Sequence, residues 1–143
     1  LDPQWDGTER WQYLEDWLPN LSYFFPNEDE AISFTGAATA EEACRKLQQW
    51  TACPIVKLGR RGCLGGGSNP CVEVPGFEVE VVDTTGAGDS FDAGFLFAVL
   101  EKGYEVHEAL RFASAVAARS CTFVGGVNAR SSYQDILEFM ESR

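Results

Sequence analysis

The chain is poor in basic residues and has no long hydrophobic run. It carries 11 Lys and Arg against 22 Asp and Glu among 143 residues, so its net charge at pH 7 is −11. Such an acidic surface repels the phosphates of nucleic acids and of anionic membranes, and we expect neither as a partner. Its apolar stretches are shorter than the roughly 18 residues that a membrane-spanning helix requires.

Histidine and closely spaced cysteines are also scarce. The one histidine, His107, lies near a predicted helix start, which favours a surface or capping role over catalysis. The cysteines are odd in number and show no C-x-x-C spacing, so neither a disulfide framework nor a cysteine metal site is expected. We therefore predict reduced thiols in a cytoplasmic protein. The cysteines are Cys44, Cys53, Cys63, Cys71 and Cys121.

The remaining composition indicates one folded domain over residues 1–143, because 45% of the residues are hydrophobic and can fill a core. Strand-like and helix-like segments alternate, which predicts an α/β fold with a mostly parallel sheet. The predicted helices are 11–18, 28–34, one that opens with a capping box at Thr39, 88–102, 106–123 and 132–141. The predicted strands are 21–25, 54–58 and 78–82, with a hairpin or irregular strand pair over 62–76.

The most informative segment is 83–91, with the sequence DTTGAGDSF. It follows a β-branched run and precedes a pattern with helical spacing, so it predicts a strand, a glycine turn and a helix start. The amides of Gly86, Ala87, Gly88 and Asp89 would then lie at a helix N-terminus without intrahelical acceptors. Together with the helix dipole, such amides form an anion site.

Asp89 places a carboxylate beside this anion site. A group that repels phosphate, located where phosphate would bind, indicates a base for the attacking hydroxyl. The alternative is a tight turn with an acid in the first helical turn, where acids are common. A dinucleotide fingerprint is disfavoured because its last glycine position is occupied by Phe91.

Segment 83–91, followed by Ala93-Gly94-Phe95, closely resembles the C-terminal signature of the ribokinase-like (PfkB) family of sugar and nucleoside kinases. Other stretches match the family in the same order. They are Leu1-Asp2-Pro3 with Trp11, the Asn-x-x-Glu motif within Pro26-Asn27-Glu28-Asp29-Glu30, and the strand with glycine loop Val56-Lys57-Leu58-Gly59-Arg60-Arg61-Gly62.

The resemblance implies a ribokinase-like three-layer α/β/α fold with a mostly parallel sheet. Family members are considerably longer, so residues 1–143 are expected to form the C-terminal nucleotide-binding and catalytic part, with the N-terminal half and the lid absent. The implied activity is ATP-dependent phosphoryl transfer to a sugar hydroxyl, and a nucleoside acceptor stays open. We expect little activity from this part alone, because the sugar must also be held in place.

In this interpretation Asp89 is the catalytic base, and Gly86, Ala87 and Gly88 donate their amides to the migrating phosphoryl group. The expected partners are ATP and a small sugar. The alternative is a non-catalytic α/β module that binds nucleotide or self-associates as a homo-oligomer.

Two further motifs are assigned by the resemblance to the nucleotide and its metal. Asn27 and Glu30 offer oxygen ligands for Mg²⁺, and the alternative is an Asn N-cap with acids in the first turn. Lys57, Gly59 and Gly62 would line the nucleotide, and the alternative is an ordinary turn after a strand.

The resemblance also assigns a monovalent cation and an adenine contact. Asp83 and Thr85 would help to hold K⁺ together with carbonyls around residues 121–126. Alternatively, Asp83 fixes the turn by accepting nearby amides. Ser114 stands near the expected adenine, where many relatives carry Asn.

Overall fold

Three α-helices precede the first strand in the part of the chain that the structure describes. The computed structural model describes residues 1, 3, 14–67, 70–125 and 131–143. Helix α1 is Leu14–Trp17 and continues as a 3-10 turn, while the first residues of the helix predicted over 11–18 lie outside the described residues. Helix α2 is Glu28–Thr35 and helix α3 is Ala40–Leu47.

Helix α3 begins at the predicted polar cap, but its glutamate has a different partner. Thr39 Oγ1 accepts a hydrogen bond from the Glu42 amide at 3.3 Å. The Glu42 carboxylate accepts from the Ala38 amide at 3.0 Å instead of from Thr39. The bond from Ala38, together with the neighbouring Lys46 ammonium, lowers the pKa of Glu42. The cap is therefore formed, and the glutamate extends it by one residue.

The described strands form a three-stranded sheet in the order β1–β2–β3. Their ranges are β1 (Ile55–Lys57), β2 (Gly62–Gly65) and β3 (Val72–Pro75). Strands β1 and β2 pair antiparallel, with Val56 opposite Leu64. The predicted strand 54–58 and the predicted hairpin over 62–76 thus form one small sheet.

Parallel pairing occurs only as isolated bridges within the described part of the chain. Phe24 bridges Pro54 and Asn27 bridges Lys57. The Phe24 carbonyl accepts a hydrogen bond from the Ile55 amide at 2.8 Å. The strand predicted over 21–25 is therefore reduced to single bridges beside β1, and the mostly parallel pairing expected from the sequence is not seen among these residues.

The described residues form two compact units. One contains Leu1–Gly59 and Cys63–Glu73, and the other contains Arg60–Gly62 and Val74–Arg143. The core of the first unit is a cluster of apolar side chains from α2, α3 and β1 that pack against each other. Its fully buried members include Phe24, Ala43, Cys44, Leu47 and Val56.

The second unit is dominated by three helices: α4 (Ala87–Lys102), α5 (Val106–Ser120) and α6 (Tyr133–Glu141). Helix α4 packs on α5 at Gly94, where a Cβ atom would lie 3.0 Å from the Val116 side chain. The glycine therefore permits the close approach of the two helices. No helix among the described residues combines the length and apolar character needed to cross a membrane.

The strand predicted over residues 78–82 is not formed. The segment has no strand assignment, and Val81 and Val82 are more than half exposed. The amide of Val82 donates to the Cys121 carbonyl at 2.8 Å instead of to a neighbouring strand. A β-branched run indicates a strand only where a partner strand satisfies its backbone.

The expectation of reduced thiols was wrong for one cysteine pair. Cys44 and Cys71 form a disulfide across 27 residues, with a Cα–Cα distance of 6.6 Å. The spacing carried no signal because the fold, not the local sequence, brings α3 beside the start of β3. Closing a loop of this length stabilises the folded state by about 3 kcal/mol through restriction of the unfolded chain. Cys53, Cys63 and Cys121 are free.

The backbone is tightly packed where β2 begins and β3 ends, and this packing requires glycine. Gly62 has a φ of 100°, and a Cβ atom there would lie 2.1 Å from the Val74 carbonyl oxygen and 2.5 Å from the Gly76 nitrogen. The Gly76 amide donates to the Arg61 carbonyl at 3.1 Å. Gly59, in the same turn, has a φ of 59° but nothing within 4 Å of its added Cβ.

These two glycines make a matched pair of alanine substitutions. Gly59→Ala should cost about 1 kcal/mol, because only the left-handed backbone conformation is penalised. Gly62→Ala should cost at least about 2 kcal/mol more, because the new methyl group meets backbone atoms that cannot move aside. Urea unfolding of both variants measures the difference, and equal losses would show that the closure around Gly62 is not as tight as described.

Candidate active site

The turn before α4 depends on a left-handed glycine. Gly86 is the N-cap residue of α4 and has φ 71° and ψ 11°. This conformation costs roughly 1–2 kcal/mol for residues with a Cβ atom. The turn leaves the start of α4 without a side-chain cap. Its amides must therefore be satisfied by the backbone, by water or by a ligand.

The amides at the start of α4 are not equivalent. The Ala87 amide donates to the Thr84 carbonyl at 3.1 Å, so one of the three predicted anion-binding amides is already used. Among the described residues, the amides of Gly86, Gly88 and Asp89 have no protein acceptor. Free donors at the positive end of a helix, here one of 16 residues, are groups that commonly bind anions.

Asp89 lies at the position expected for a base beside an anion site. It lies in the first turn of α4, next to Gly88, and its side chain is exposed. A carboxylate at this position can accept a proton from a hydroxyl group that approaches the anion site. The geometry therefore combines the two groups that the sequence predicted together.

Asp83 holds this turn in shape. Its Oδ1 accepts from the Thr85 amide and its Oδ2 accepts from the Gly125 amide, both at 2.9 Å. These bonds, first that from Thr85 and then that from Gly125, lower the pKa of Asp83 because they favour the charged carboxylate. Both oxygens are thus engaged, which matches the turn-fixing alternative. A potassium site at Asp83 and Thr85 stays a prediction.

The segment after α5 contributes backbone groups to the same turn. The Cys121 carbonyl accepts from the amides of Val82 and Asp83, at 2.8 Å and 3.2 Å. Burial is the main cause of a raised pKa for the Cys121 thiol, and the charge of Asp83 adds to the rise. Both effects disfavour the charged thiolate of Cys121. Gly126, whose carbonyl was among the predicted ligands for K⁺, lies outside the described residues.

Asn27 and Glu30 form a reciprocal cap at the start of α2. Asn27 Oδ1 accepts from the Glu30 amide at 2.9 Å, and Glu30 Oε2 accepts from the Asn27 amide at 2.8 Å. This is the N-cap alternative drawn from the sequence. Within the described ranges no group of three or more His, Cys, Asp and Glu residues is arranged to hold a metal. Magnesium binding by Asn27 and Glu30 stays a prediction.

The two nucleotide-loop glycines have different surroundings. Gly59 is open on the side where a Cβ atom would lie, whereas Gly62 packs against its own hairpin. Only Gly59 therefore has space beside its Cα for a ligand. Lys57 ends β1 and is half-buried, and its amide donates to the Pro26 carbonyl at 2.9 Å.

Ser114 lies on the buried face of α5 and is 5% exposed. Its predicted contact with adenine stays a prediction. The residues that sequence reasoning missed act through their backbone: Thr84 by its carbonyl and Gly125 by its amide. Gly125 is 42 residues from Asp83, and the resemblance assigned to its segment, 121–126, only carbonyls for K⁺ and not this amide bond.

Comparison with known proteins identifies the family. The model of the pfkB family of carbohydrate kinases matches residues 1–132. The chain belongs to this family. A ribokinase from Bacillus subtilis is 36% identical over 126 residues, which are 86% of this chain and 42% of the relative.

Solved structures confirm the ribokinase-like α/β fold. A ribokinase from Thermotoga maritima is 33% identical with a TM-score of 0.84, over 98% of this chain and 48% of that one. An Arabidopsis thaliana ribokinase in complex with ribose and ATP is 29% identical with a TM-score of 0.78, over 89% of this chain and 43% of that one. The chain thus spans less than half of each of these pfkB relatives.

The bonds of Asp83 predict how stability depends on pH. Its pKa is lower in the folded than in the unfolded chain, so its stabilising effect is complete above the ordinary carboxyl pKa near 3.9. The effect is lost as the pH falls through the lowered pKa of the folded state. In urea unfolding at pH 6, 4 and 3, wild type should lose stability more steeply than Asp83→Asn. Parallel losses would contradict the role given to these bonds.

Proposed function

We propose that this chain is the nucleotide-binding and catalytic part of an ATP-dependent carbohydrate kinase. The observation that carries the proposal is a set of three amides, of Gly86, Gly88 and Asp89, beside the exposed Asp89 carboxylate; none of the three has an acceptor in the described part of the chain. The family match supports the same chemistry. A small sugar is the proposed acceptor, as in the Arabidopsis ribokinase, whose structure contains ribose and ATP.

In the proposed reaction, Asp89 accepts the proton of a sugar hydroxyl as its oxygen attacks the γ-phosphorus. The bond from the γ-phosphorus to the bridging oxygen breaks, and ADP leaves. The free amides at the start of α4 donate to the phosphoryl oxygens while this charge moves. Because Asp83 fixes the turn beforehand, these donors need no rearrangement when the phosphoryl group arrives.

Magnesium, when bound with ATP, neutralises the phosphate charge. The oxygens of Asn27 and Glu30 suit a hydrated Mg²⁺, and their reciprocal hydrogen bonds hold the two side chains together on the first turn of α2. Lys57 and the open side of Gly59 are the proposed contacts for the rest of the nucleotide.

A second candidate function is a module without catalysis that binds nucleotide or self-associates. It is favoured by the apolar residues on both faces of α4: Phe95 is fully buried, but Leu100 is 69% exposed and Leu96 is 36% exposed. A helix that is apolar all round usually has partners on both sides. Sedimentation of the purified chain at increasing concentration tests this candidate, which requires a defined oligomer.

The kinase proposal predicts a separation of binding from turnover at Asp89. The purified chain should bind Mg·ATP in calorimetry, and Asp89→Asn should change the affinity by less than about threefold. A chimera that joins this chain to the N-terminal half of the Thermotoga ribokinase should phosphorylate ribose. In that chimera Asp89→Asn should lower kcat by roughly 10²–10⁴-fold, because general base catalysis is lost.

Glu101→Gln is the matched control, because Glu101 is an exposed carboxylate near the other end of the same helix. It should leave both affinity and kcat unchanged. Full turnover by Asp89→Asn would contradict the assignment of the base. Phosphorylation of ribose at an ordinary enzymatic rate by the chain alone would contradict our expectation that the sugar must be held by further residues.

A further inference from the structure

Several of the few basic side chains of this acidic chain line one cleft of the second unit. The cleft has a volume of about 500 Å³, which lies within the range of roughly 300–1,000 Å³ that is typical of sites for small molecules. It is lined by the end of β3 and the residues that follow, by the first two turns of α5 and by Arg143. The side chains that matter here are those of Pro75, Phe77, Glu78, His107, Arg111 and Arg143.

Both arginines of the cleft are held by the faces of aromatic rings. The guanidinium carbon of Arg111 lies 5.8 Å from the centre of the Phe77 ring, and that of Arg143 lies 4.8 Å from the centre of the Phe139 ring. The two rings are in contact, with their centres 5.5 Å apart. A guanidinium group that stacks on a ring keeps the N–H groups in its own plane available for hydrogen bonds.

Neither arginine is neutralised by a carboxylate, although the chain has 22 acidic residues against 11 basic ones. Within the described ranges, Arg111 and Arg143 form no ion pair, and the Glu78 carboxylate in the same cleft pairs with neither of them. Nη1 of Arg143 donates to the Glu78 carbonyl oxygen. The His107 side chain is exposed and has no hydrogen-bond partner among the residues that the structure describes. The cleft therefore holds positive charge and N–H donors that this part of the chain leaves unused.

We propose that this cleft binds a small organic oxyanion, either a phosphate ester or a carboxylate, that also carries an apolar part. Arg111 can donate to two oxygens of such a group at once. His107 lies one turn earlier on the same face of α5 and supplies a further N–H donor. The rings of Pro75 and Phe77 contact the apolar part of the ligand.

The cleft is separate from the anion site at the start of α4. Helix α4 has 16 residues and is about 24 Å long. Helix α5 begins after a short turn at 103–105 and packs along α4, with Val116 beside Gly94. His107 therefore lies near the end of α4 that is opposite to Asp89. The inference goes beyond the proposed function and does not depend on it.

NMR of the arginine side chains tests the site in the unaltered chain. Phenyl phosphate and phthalate are the probes, and at least one of them should shift the Nε–Hε resonance of Arg111 until the site is saturated. The tighter of the two identifies the ligand as a phosphate ester or as a carboxylate. Inorganic phosphate should bind about fivefold more weakly than phenyl phosphate, because it makes no apolar contact with Phe77.

A pair of arginine variants tests the same site by calorimetry. Arg111→Gln should weaken binding of the tighter probe by about tenfold or more, because a charge-assisted bidentate contact is lost. Arg45→Gln is the matched control, since Arg45 is exposed on α3 and its loss changes the net charge equally. The control should change the affinity by less than about twofold, as expected for a distant surface charge. Circular dichroism shows whether both variants are folded, and the Arg111 resonance of the unaltered chain decides if they are not.

An Arg111 resonance that stays unchanged with both probes would overturn the inference. Equal losses of affinity in Arg111→Gln and Arg45→Gln would also overturn it, because binding would then reflect overall charge alone. A probe that shifts the amides of Gly86, Gly88 and Asp89 but not Arg111 would overturn the inference and support the proposed function. Saturable binding at Arg111 in a chain that does not bind Mg·ATP would have the opposite meaning: the inference holds and the proposed function fails.

Discussion

The two hydrogen bonds accepted by Asp83 are the interaction on which the candidate active site depends. One carboxylate binds amides that are 40 residues apart in the sequence, those of Thr85 and Gly125 at 2.9 Å each. These two bonds hold both ends of the carboxylate and so support the turn that follows. Gly86 then enters the left-handed conformation, and α4 starts with amides that have no acceptor among the residues that the structure describes. The Cys121 carbonyl adds two backbone bonds to the same side of the turn, from the amides of Val82 and Asp83.

This arrangement has a cost that a ligand would offset. The three amides that lack an acceptor within the described ranges can donate to water instead. An anion that replaces this water gains their hydrogen bonds and the attraction of the helix dipole. The chain as a whole carries a net charge of −11, so its long-range field repels phosphates. Recognition of an anion here therefore comes from short-range, oriented donors and not from the overall charge.

Local features could be predicted from the sequence, and long-range ones could not. The start of α4, the left-handed Gly86 and the cap formed by Asn27 and Glu30 follow from residues within one helical turn of each other. The position of Asp89 alone fitted either a catalytic base or an ordinary acid in the first helical turn. The family signature over 83–91 favoured the catalytic base.

The features that were not predicted share one physical cause: each depends on a residue that is distant in the sequence. The Cys44–Cys71 disulfide and the bond from Gly125 to Asp83 form because the fold brings separate segments together. Residues 78–82 have strand-forming side chains but donate to Cys121 instead of to a strand. Gly62 looked like a ligand-binding glycine, yet its missing side chain is explained by the packing of its own hairpin.

The most direct test of the phosphate site is to follow individual backbone amides by NMR while Mg·ATP is added to the chain. The amides of Gly86, Gly88 and Asp89 should show the largest downfield shifts in the α4 region, and the Ala87 amide, already bonded to Thr84, should move least. Binding of Mg·ATP that shifts other amides and leaves these three unchanged would contradict the account.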